Sequence, residues 1–372
     1  MSKNKGSVAK VISTIIIFSL MSKVLGFLRD YFTAVKFGTT AEADAFLMAS
    51  NIPNTLFMLI GIAISTTFIP IYNDIKVSKS KEELQEFYNN ITNILIFLSL
   101  VITILCEIFA PIIVSIMAPG FTGAKFVLTV KLTRILSSVI VLNTLIYLFI
   151  SILQCEGNFN IPALIGIPYN IVLIFYYVFF ADQYGVVGIS IMVSIALMLQ
   201  IIVLLKFLKQ KKYKYFLKFN IKDKNLKKMM ILIMPVAIGT GVQQLNGVFN
   251  GIYASSLGDG TVAAINYALK IYMLVIDIFI LSIVTVYYQK ISKAASEKNY
   301  DELKNNSNRS IMLIFIMLIP IVTLLLAYNE PIIKILFQRG KFNGEATGLT
   351  ATALYYYRSE ERRVGKECPR CV

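Results

Sequence analysis

Four ionisable side chains lie in a stretch of the chain that is otherwise apolar. Lys23, Arg29, Asp30 and Asp44 fall between hydrocarbon runs, one entering the stretch and another leaving it after Asp44. A charge near the centre of a bilayer costs about 2.5 to 3.5 kcal/mol on insertion scales, so these groups are expected to face a protein interior or a water-filled cavity. Arginine can hold two phosphate oxygens at once, and lysine acts as a mobile point charge. The stretch is therefore a candidate binding site.

A further cation, Lys270, lies in a later apolar segment. Asp277 follows it seven residues on, which places both side chains on one helical face about 10 Å apart along the axis. That distance is too long for an ion pair. We therefore interpret the two residues as part of a polar stripe that faces a lumen.

Amide side chains form another group of candidates. Gln243, Gln244, Asn246 and Asn250 put an amide-rich stripe into one apolar segment. Such amides either line a cavity or hydrogen-bond between helices, and the sequence leaves both interpretations open. The candidate cavity-lining residues are Asp30, Asn51, Gln243, Asn246 and Asp277.

The composition is typical of a membrane protein. Of the 372 residues, 56% are hydrophobic and 15% are charged, and the mean hydropathy is +0.69. A soluble domain carries about 25% charged residues. Apolar runs of about 20 residues, long enough to span a bilayer, recur along most of this chain. We therefore predict an all-α polytopic membrane protein.

The net charge of +15 is concentrated between the apolar runs, most densely over residues 206–228. The positive-inside rule places this basic loop and the N-terminus in the cytoplasm. A weak contact with anionic lipid headgroups follows from the same cluster, and we expect no nucleic-acid partner. The chain has no histidine, which excludes histidine-based metal sites and histidine general bases. No cofactor, metal or catalytic residue is expected.

Uncharged apolar runs predict nine spanning helices and the start of a tenth near Ala346. The tenth run is interrupted at Arg358, too early to span a bilayer. About 9 to 10 transmembrane helices are therefore expected. The predicted bounds are 9–33, 43–73, 88–117, 126–155, 161–181, 185–207, 228–256, 262–290 and 308–329.

An internal repeat groups these helices. Pro111-Ile112-Ile113 recurs as Pro331-Ile332-Ile333, and Phe37-Gly38 is echoed by Leu257-Gly258, both at a separation of 220 residues. The first helix maps onto a helix six later, so the repeat is parallel. Transporters with two such bundles place the substrate site between them. The predicted domains are a six-helix bundle with a basic cytoplasmic loop over 1–220 and an incomplete second bundle over 221–357.

The last residues differ from the rest of the chain. From Arg358 to Val372 the sequence changes abruptly from apolar to charged and matches nothing in the first repeat unit. We interpret residues 358–372 as a foreign tail, from a gene fragment or an assembly join, on a chain truncated in its second bundle. Cys368-Pro369-Arg370-Cys371 is a single CxxC with no second pair, so a zinc site is not expected.

Five short motifs in the first charged stretch resemble, in order and spacing, the opening of the MurJ (MviN) family. A second specific block lies at 337–342, and the resemblance covers about residues 10–357. The first five motifs are Leu25-Gly26-Phe27-Leu28-Arg29-Asp30, Phe37-Gly38-Thr39-Thr40, Ala43-Asp44-Ala45-Phe46, Ile52-Pro53-Asn54 and Phe68-Ile69-Pro70.

The resemblance implies a flippase in the superfamily of multidrug and polysaccharide exporters. Members of the MurJ family move lipid II, an undecaprenyl-pyrophosphate-linked peptidoglycan precursor, across the bacterial inner membrane, and we expect alternating access as the mechanism. Lys23 and Arg29 match the family's basic cavity positions, Asp44 its acidic residue at the start of the second helix, and Lys270 a basic position. Membrane lipids and a functional link to the cell-wall synthesis machinery are also implied.

Departures from the family pattern leave other functions open. Phe57, Met58 and Gly61 occupy a region where many members carry charges, and Leu269 stands where an acid often precedes the cation. A flippase for O-antigen, teichoic or capsular lipid-linked sugars would share the fold. An inactive fragment is a further alternative. A membrane enzyme acting on polyprenyl phosphates is disfavoured, because the sequence has neither histidine nor an Asp-x-Asp cluster.

Overall fold

The computed structural model describes residues 3–210, 213–276 and 280–357, and side chains from residue 14 onward except at a few helical positions. The described residues form fifteen helices and no strand, which confirms the predicted all-α class. The first nine are α1 (Lys3–Phe37), α2 (Ala41–Ser78), α3 (Lys81–Ile108), α4 (Ala110–Met117), α5 (Gly123–Leu136), α6 (Val139–Cys155), α7 (Asn160–Leu164), α8 (Gly166–Phe179) and α9 (Ala181–Gln210).

Six more helices follow the basic loop. The predicted tail 358–372, with its CxxC, lies outside the described residues, as does Asp277. The later helices are α10 (Lys224–Ser255), α11 (Thr261–Val275), α12 (Leu281–Ser296), α13 (Tyr300–Ala327), α14 (Asn329–Phe337) and α15 (Gly344–Tyr357).

Three of the predicted spans are broken in the structure. The span expected over 88–117 is divided into α3 and α4 at Phe109, because Pro111 lies in the first turn of α4. Proline lacks a backbone donor and clashes with the preceding turn of a continuing helix. The span expected over 126–155 is divided into α5 and α6, and the span expected over 161–181 into α7 and α8. In the span expected over 262–290, α11 ends at Val275 and α12 begins at Leu281, and residues 277–279 between them lie outside the described residues.

Six helical segments within the described residues are long and apolar enough to cross a membrane. They are Lys81–Ile108, Gly123–Cys155, Asn160–Phe179, Ala181–Gln210, Lys224–Ser255 and Tyr300–Ala327. The count of about nine to ten spans stays a prediction.

Side-chain caps start several of the long helices. The hydroxyl of Thr40 accepts a hydrogen bond from the backbone N–H of Ala43 at the start of α2, and Ser80 does the same for Glu83 in α3. These oxygens replace partners that the first helical turn lacks. The position of α2, which carries two prolines and the acidic Asp44, is thereby fixed at the turn after α1.

The core joins the early helices to the late ones. Phe27 of α1 lies beside Phe337 of α14, with ring centroids 6.1 Å apart. Tyr267 of α11 packs on Phe337 and Phe342 at 5.8 and 5.7 Å. Aromatic pairs at such distances stabilise beyond the area they bury. This aromatic cluster places α11 against α1, where charged residues face each other.

Candidate functional site

A polar cavity of about 360 Å³ lies between α1, α2, α5, α6, α8, α9 and α11. Its wall carries charged and amide side chains from elements far apart in the sequence. Their convergence in one space is typical of a binding site rather than of a packing defect. The charged and amide residues that line it are Arg29, Asp30, Asn51, Asn54, Asn143, Gln200, Asn266 and Lys270.

Asp30 is shared between two cations in this cavity. The Nη2 atom of Arg29 lies 2.7 Å from Oδ1 of Asp30, and Nζ of Lys270 lies 3.5 Å from its Oδ2. The exposed fractions of the Arg29, Asp30 and Lys270 side chains are 22%, 17% and 44%. Two cations and one carboxylate leave a net positive charge. The cluster therefore attracts an anion, and Lys270 is its most accessible member.

Neighbouring side chains on α8 hold the Arg29 guanidinium in place. Its Nη1 donates to Oδ1 of Asn170 at 3.2 Å, and the amide of Asn170 donates to the carbonyl of Ser22 at 3.2 Å. The ring of Tyr169 lies 5.8 Å from Cζ of Arg29. A guanidinium fixed in this way presents its planar fork with little further ordering. Sequence reasoning did not find Asn170 or Tyr169, because nothing local relates α8 to α1.

Amides connect this cavity to a second one of about 250 Å³ that reaches α10. Asn51, Asn54 and Asn266 line both cavities, whereas Gln244 and Asn250 line only the second. Asn246 is exposed and lines neither. The side chain of Gln243 lies outside the described residues, as Asp277 does. The structure thus places Asn51, and not Asn246, between the charged cluster and α10.

Lys23 lies apart from the charged cluster. It precedes Arg29 by six residues, which is about 9 Å along the axis of α1. Its side chain is exposed and lines neither cavity. The structure therefore brings together Arg29, Asp30 and Lys270 of the predicted charged residues, and leaves Lys23 toward the N-terminal end of α1.

Asp44 occupies a different environment from the cavity cluster. Its carboxylate is fully buried and accepts hydrogen bonds from the backbone N–H groups of Gly260 and Ala263, at 2.7 and 2.8 Å. These groups lie at the start of α11, where a negative charge complements the helix dipole. Lys125 of α5 adds an ion pair at 2.7 Å. Asp44 was predicted to bind substrate, but its oxygens contact protein groups and it lines neither cavity.

Lys125 links Asp44 to Asp259. Its Nζ lies 2.7 Å from Oδ2 of Asp44, 2.8 Å from Oδ1 of Asp259 and 4.0 Å from the centroid of the Phe121 ring. Sequence reasoning missed both Lys125 and Asp259. The repeat offered a signal for Asp259, because it pairs Phe37-Gly38 with Leu257-Gly258 and so places the two turns in equivalent positions.

Glycines permit close backbone contacts around Asp44. A Cβ atom on Gly38 would lie 2.4 Å from the carbonyl oxygen of Lys341, and one on Gly260 would lie 2.4 Å from that of Thr39. Both glycines have positive φ, +57° and +83°. The N–H of Lys341 donates to the carbonyl of Val35 at 2.8 Å. We call residues 35–44, 259–263 and 339–342 the glycine interface.

Comparison with known families places the chain among lipid flippases. The family model described as lipid II flippase MurJ matches residues 33–359. A probable lipid II flippase MurJ of Buchnera aphidicola subsp. Schizaphis graminum is 32% identical over 94% of this chain and 69% of its own. A lipid II flippase MurJ of Burkholderia cenocepacia is 27% identical over 91% and 68%.

Solved structures show the same relationship. A lipid II flippase MurJ in an inward closed conformation superposes with a TM-score of 0.79 at 28% identity, covering 92% of this chain and 72% of its own. An inward-facing multidrug transporter of the MATE family has a TM-score of 0.71 at 18% identity, over 92% and 79%. At that identity the second likeness is one of fold alone.

Proposed function

The chain belongs to the family of the lipid II flippase MurJ, and on this premise we propose that it moves lipid II across the bacterial cytoplasmic membrane. The substrate carries a pyrophosphate and a large polar head that must cross about 30 Å of hydrocarbon. A polar cavity with fixed cations lowers that barrier. We assign the chain no catalytic step. A link with the cell-wall synthesis machinery belongs to the same proposal.

The sharing of Asp30 between Arg29 and Lys270 is the observation that carries this proposal. Lys270 is nearly half exposed and lies 3.5 Å from the carboxylate, so it can turn toward an incoming phosphate without leaving a buried charge unpaired. Arg29 is held by Asp30 and Asn170 and offers the fork that pyrophosphate oxygens fit. Substrate binding then exchanges one anionic partner for another.

The remaining predicted residues contact the substrate at other places or in another conformation of the protein. Asn51, with Asn54 and Asn266, lies where the two cavities meet and contacts the sugar and peptide part of the head. Lys23 meets the headgroup earlier, toward the cytoplasmic mouth, given a cytoplasmic N-terminus. We retain Gln243, Asn246 and Asp277 as lining residues of a second conformation.

Asp44 acts on the transport cycle without contacting the substrate. With the N-terminus in the cytoplasm, α1 ends on the outer side, and the glycine interface closes the cavity there. Release outside requires the units 1–220 and 221–357 to separate at this interface. Asp44, bonded to Gly260 and Ala263, therefore stabilises the inward state. Alternating access follows when the contacts of the glycine interface form and break in turn.

Growth of a bacterium depleted of its own lipid II flippase tests the proposal. This chain should restore growth, and the double variant Arg29→Gln with Lys270→Gln should not. The matched control, Lys290→Gln with Lys304→Gln, removes the same charge from exposed positions of α12 and α13 and should restore growth.

Two results would contradict the proposal. One is a membrane-inserted chain that fails to support growth, and the other is equal growth with the Arg29 and Lys270 double variant. Rescue of a strain lacking an O-antigen, teichoic or capsular flippase instead would assign the chain to that alternative substrate.

A further inference from the structure

Residues 213–222, which we call the strap, run along α3 without regular secondary structure. Three asparagines of α3 hold them. Asn89 donates to the carbonyl of Lys214 and accepts from the N–H of Phe216, at 3.1 and 3.3 Å. Asn90 donates to the carbonyl of Asn220 at 2.9 Å and accepts from its N–H at 2.6 Å.

Asn93 completes the series by donating to the carbonyls of Phe216 and Lys218, at 3.3 and 3.0 Å. The three asparagine side chains thus bond to six backbone groups of the strap. All three asparagines are buried. Water would bond to these groups in a loop exposed to solvent, whereas a non-helical backbone beside lipid must find protein partners. Because asparagine side chains take the place of water at these backbone groups, the hydrogen-bonding pattern indicates that the strap lies where little water is available.

Large side chains of the strap are exposed. Leu217 is 83% exposed, and Phe219 and Ile221 are also exposed, as is Tyr215, whose hydroxyl donates to Oδ1 of Asn93 at 2.5 Å. The ring of Phe219 packs edge-on against that of Phe97 in α3, with centroids 5.7 Å apart. The apolar surface of the strap is thereby continuous with an exposed apolar face of α3, one of the helices long enough to span a membrane. That face runs on through Phe97, Leu100, Val101, Ile104, Leu105 and Ile108.

Lysines recur at every fourth position of the strap, at 214, 218 and 222. Lys218 pairs with Glu86, and no ion pair of Lys214 or Lys222 is present among the described residues. Lys214 also lines a cavity of about 580 Å³ whose other lysines are Lys76, Lys79 and Lys81, from the end of α2 and the start of α3. Lysines near a membrane surface attract anionic lipid by about 1 kcal/mol each.

We propose that the strap is a lipid-binding element that inserts Leu217 and Phe219 among acyl chains and holds the phosphate headgroup of an anionic phospholipid with Lys214 and Lys222. Three observations support a bilayer as the occupant. The backbone is bonded by buried amides, the apolar surface continues that of α3, and the lysines complement an anionic headgroup. The segment that joins α9 to α10 is thus anchored to the membrane as well as to α3.

A single tryptophan tests insertion, because the chain has none. The full chain with Leu217→Trp is placed in phosphatidylcholine vesicles that contain phosphatidylglycerol, with plain or brominated acyl chains. Brominated lipid should remove most of the emission, which should lie at shorter wavelength than that of the control Tyr300→Trp. Tyr300 is exposed at the start of α13, and its variant should be quenched by aqueous acrylamide instead.

Either of two results would overturn insertion. Emission of the Leu217→Trp protein that behaves like the control would place the strap in water. Protection of that tryptophan from both brominated lipid and acrylamide would show that a protein surface, such as a second copy, covers the strap.

The headgroup is tested with the same reporter. Brominated phosphatidylglycerol, as a minor component, should quench Leu217→Trp more than an equal fraction of brominated phosphatidylcholine. Adding Lys214→Gln with Lys222→Gln should lower this preference, by up to about fivefold for each lysine. Lys290→Gln with Lys304→Gln should leave it unchanged. If the Lys214 and Lys222 variant keeps the full preference for phosphatidylglycerol, the headgroup role is refuted. If inorganic phosphate at matched ionic strength abolishes the preference of the Leu217→Trp protein, the site binds free phosphate instead.

Discussion

Two aspartates from the early helices contact the same helix, α11, in opposite ways. Asp44 is fully buried, accepts two backbone hydrogen bonds at the start of α11, and pairs with Lys125. Asp30 is partly exposed and is shared between Arg29 and Lys270 inside a cavity. One carboxylate fixes the end of α11, and the other leaves a cation of the same helix able to change partners.

The difference shows that the partners of a charged group, and not its residue type, decide its role. Removing one member of a buried ion pair costs about 3 to 5 kcal/mol, because the other charge stays buried. A half-exposed pair contributes about 0 to 1 kcal/mol. The glycine interface should therefore control stability and conformation, whereas the cavity cluster should control binding.

The largest effect is expected from Asp44→Ala. It leaves Lys125 buried with one partner and removes the acceptor of two N–H groups, so the free energy of unfolding should fall by about 3 to 5 kcal/mol. Thermal unfolding in detergent measures the change. The control Asp259→Ala removes the other partner of Lys125. Because the Asp259 side chain is 73% exposed, its loss should lower the free energy of unfolding by less than about 1 kcal/mol. Equal losses of stability in Asp44→Ala and Asp259→Ala would show that the buried contacts of Asp44 do not stabilise the protein more than the exposed Asp259 does.

Lys270→Gln should weaken binding of lipid II with little loss of stability. Hydrogen bonds to charged groups contribute about 1.5 to 3 kcal/mol, so affinity should fall about tenfold or more. The unfolding free energy should change by less than about 1 kcal/mol. Binding of lipid II to the purified chain in nanodiscs measures the affinity. The control variant Lys270→Arg should retain most of it. A variant that loses stability in parallel with affinity would show a structural role instead.

Gly260→Ala tests the close backbone approach in the glycine interface. The new Cβ meets the carbonyl oxygen of Thr39 in a left-handed backbone conformation, so stability should fall by about 1 to 3 kcal/mol. Gly258 also has positive φ, +109°, but its Cβ would meet nothing within 4 Å. The difference in melting temperature between Gly260→Ala and Gly258→Ala isolates the contact. If Gly260→Ala and Gly258→Ala melt at the same temperature, the close approach of Gly260 to Thr39 does not hold the two turns together.

The smallest effect is expected from Lys23→Gln. Lys23 is exposed and lines neither cavity, so lipid II affinity should fall by less than about 1 kcal/mol. The effect should shrink further at higher salt, because exposed charges are screened. A loss as large as that of Lys270→Gln would place Lys23 in direct contact with the pyrophosphate.

Much of the fold follows from local sequence. Within the described residues, each predicted span falls largely on helix, because a long apolar run in lipid must satisfy its own backbone hydrogen bonds and the helix does so. The breaks were harder to place. Pro111 lies inside the span predicted over 88–117, but whether a proline kinks a helix or ends it depends on neighbouring helices. Here it begins α4.

The site was only partly predictable, because its contacts join distant parts of the chain. Arg29 and Lys270 stand out as charges in apolar runs, and the high cost of burying charge explains why such a signal survives in one sequence. Their shared partner Asp30 was not foreseen for Lys270, which the sequence associated with Asp277. Asp44 carried the same signal as Arg29, yet only the structure shows that Gly260 and Ala263 satisfy it.

The glycine interface also determines what a cargo must do to open it. Its bonds join three turns at once, so the closed and open arrangements behave as two populations. Reversing a ratio of 99 to 1 requires a ligand to bind the rarer state about 10⁴-fold more tightly. A pyrophosphate that contacts Arg29 and Lys270 equally in both arrangements shifts nothing, however tightly it binds. In that case, discrimination between the two populations comes from the sugar and peptide, or from an energy source that acts on the interface itself.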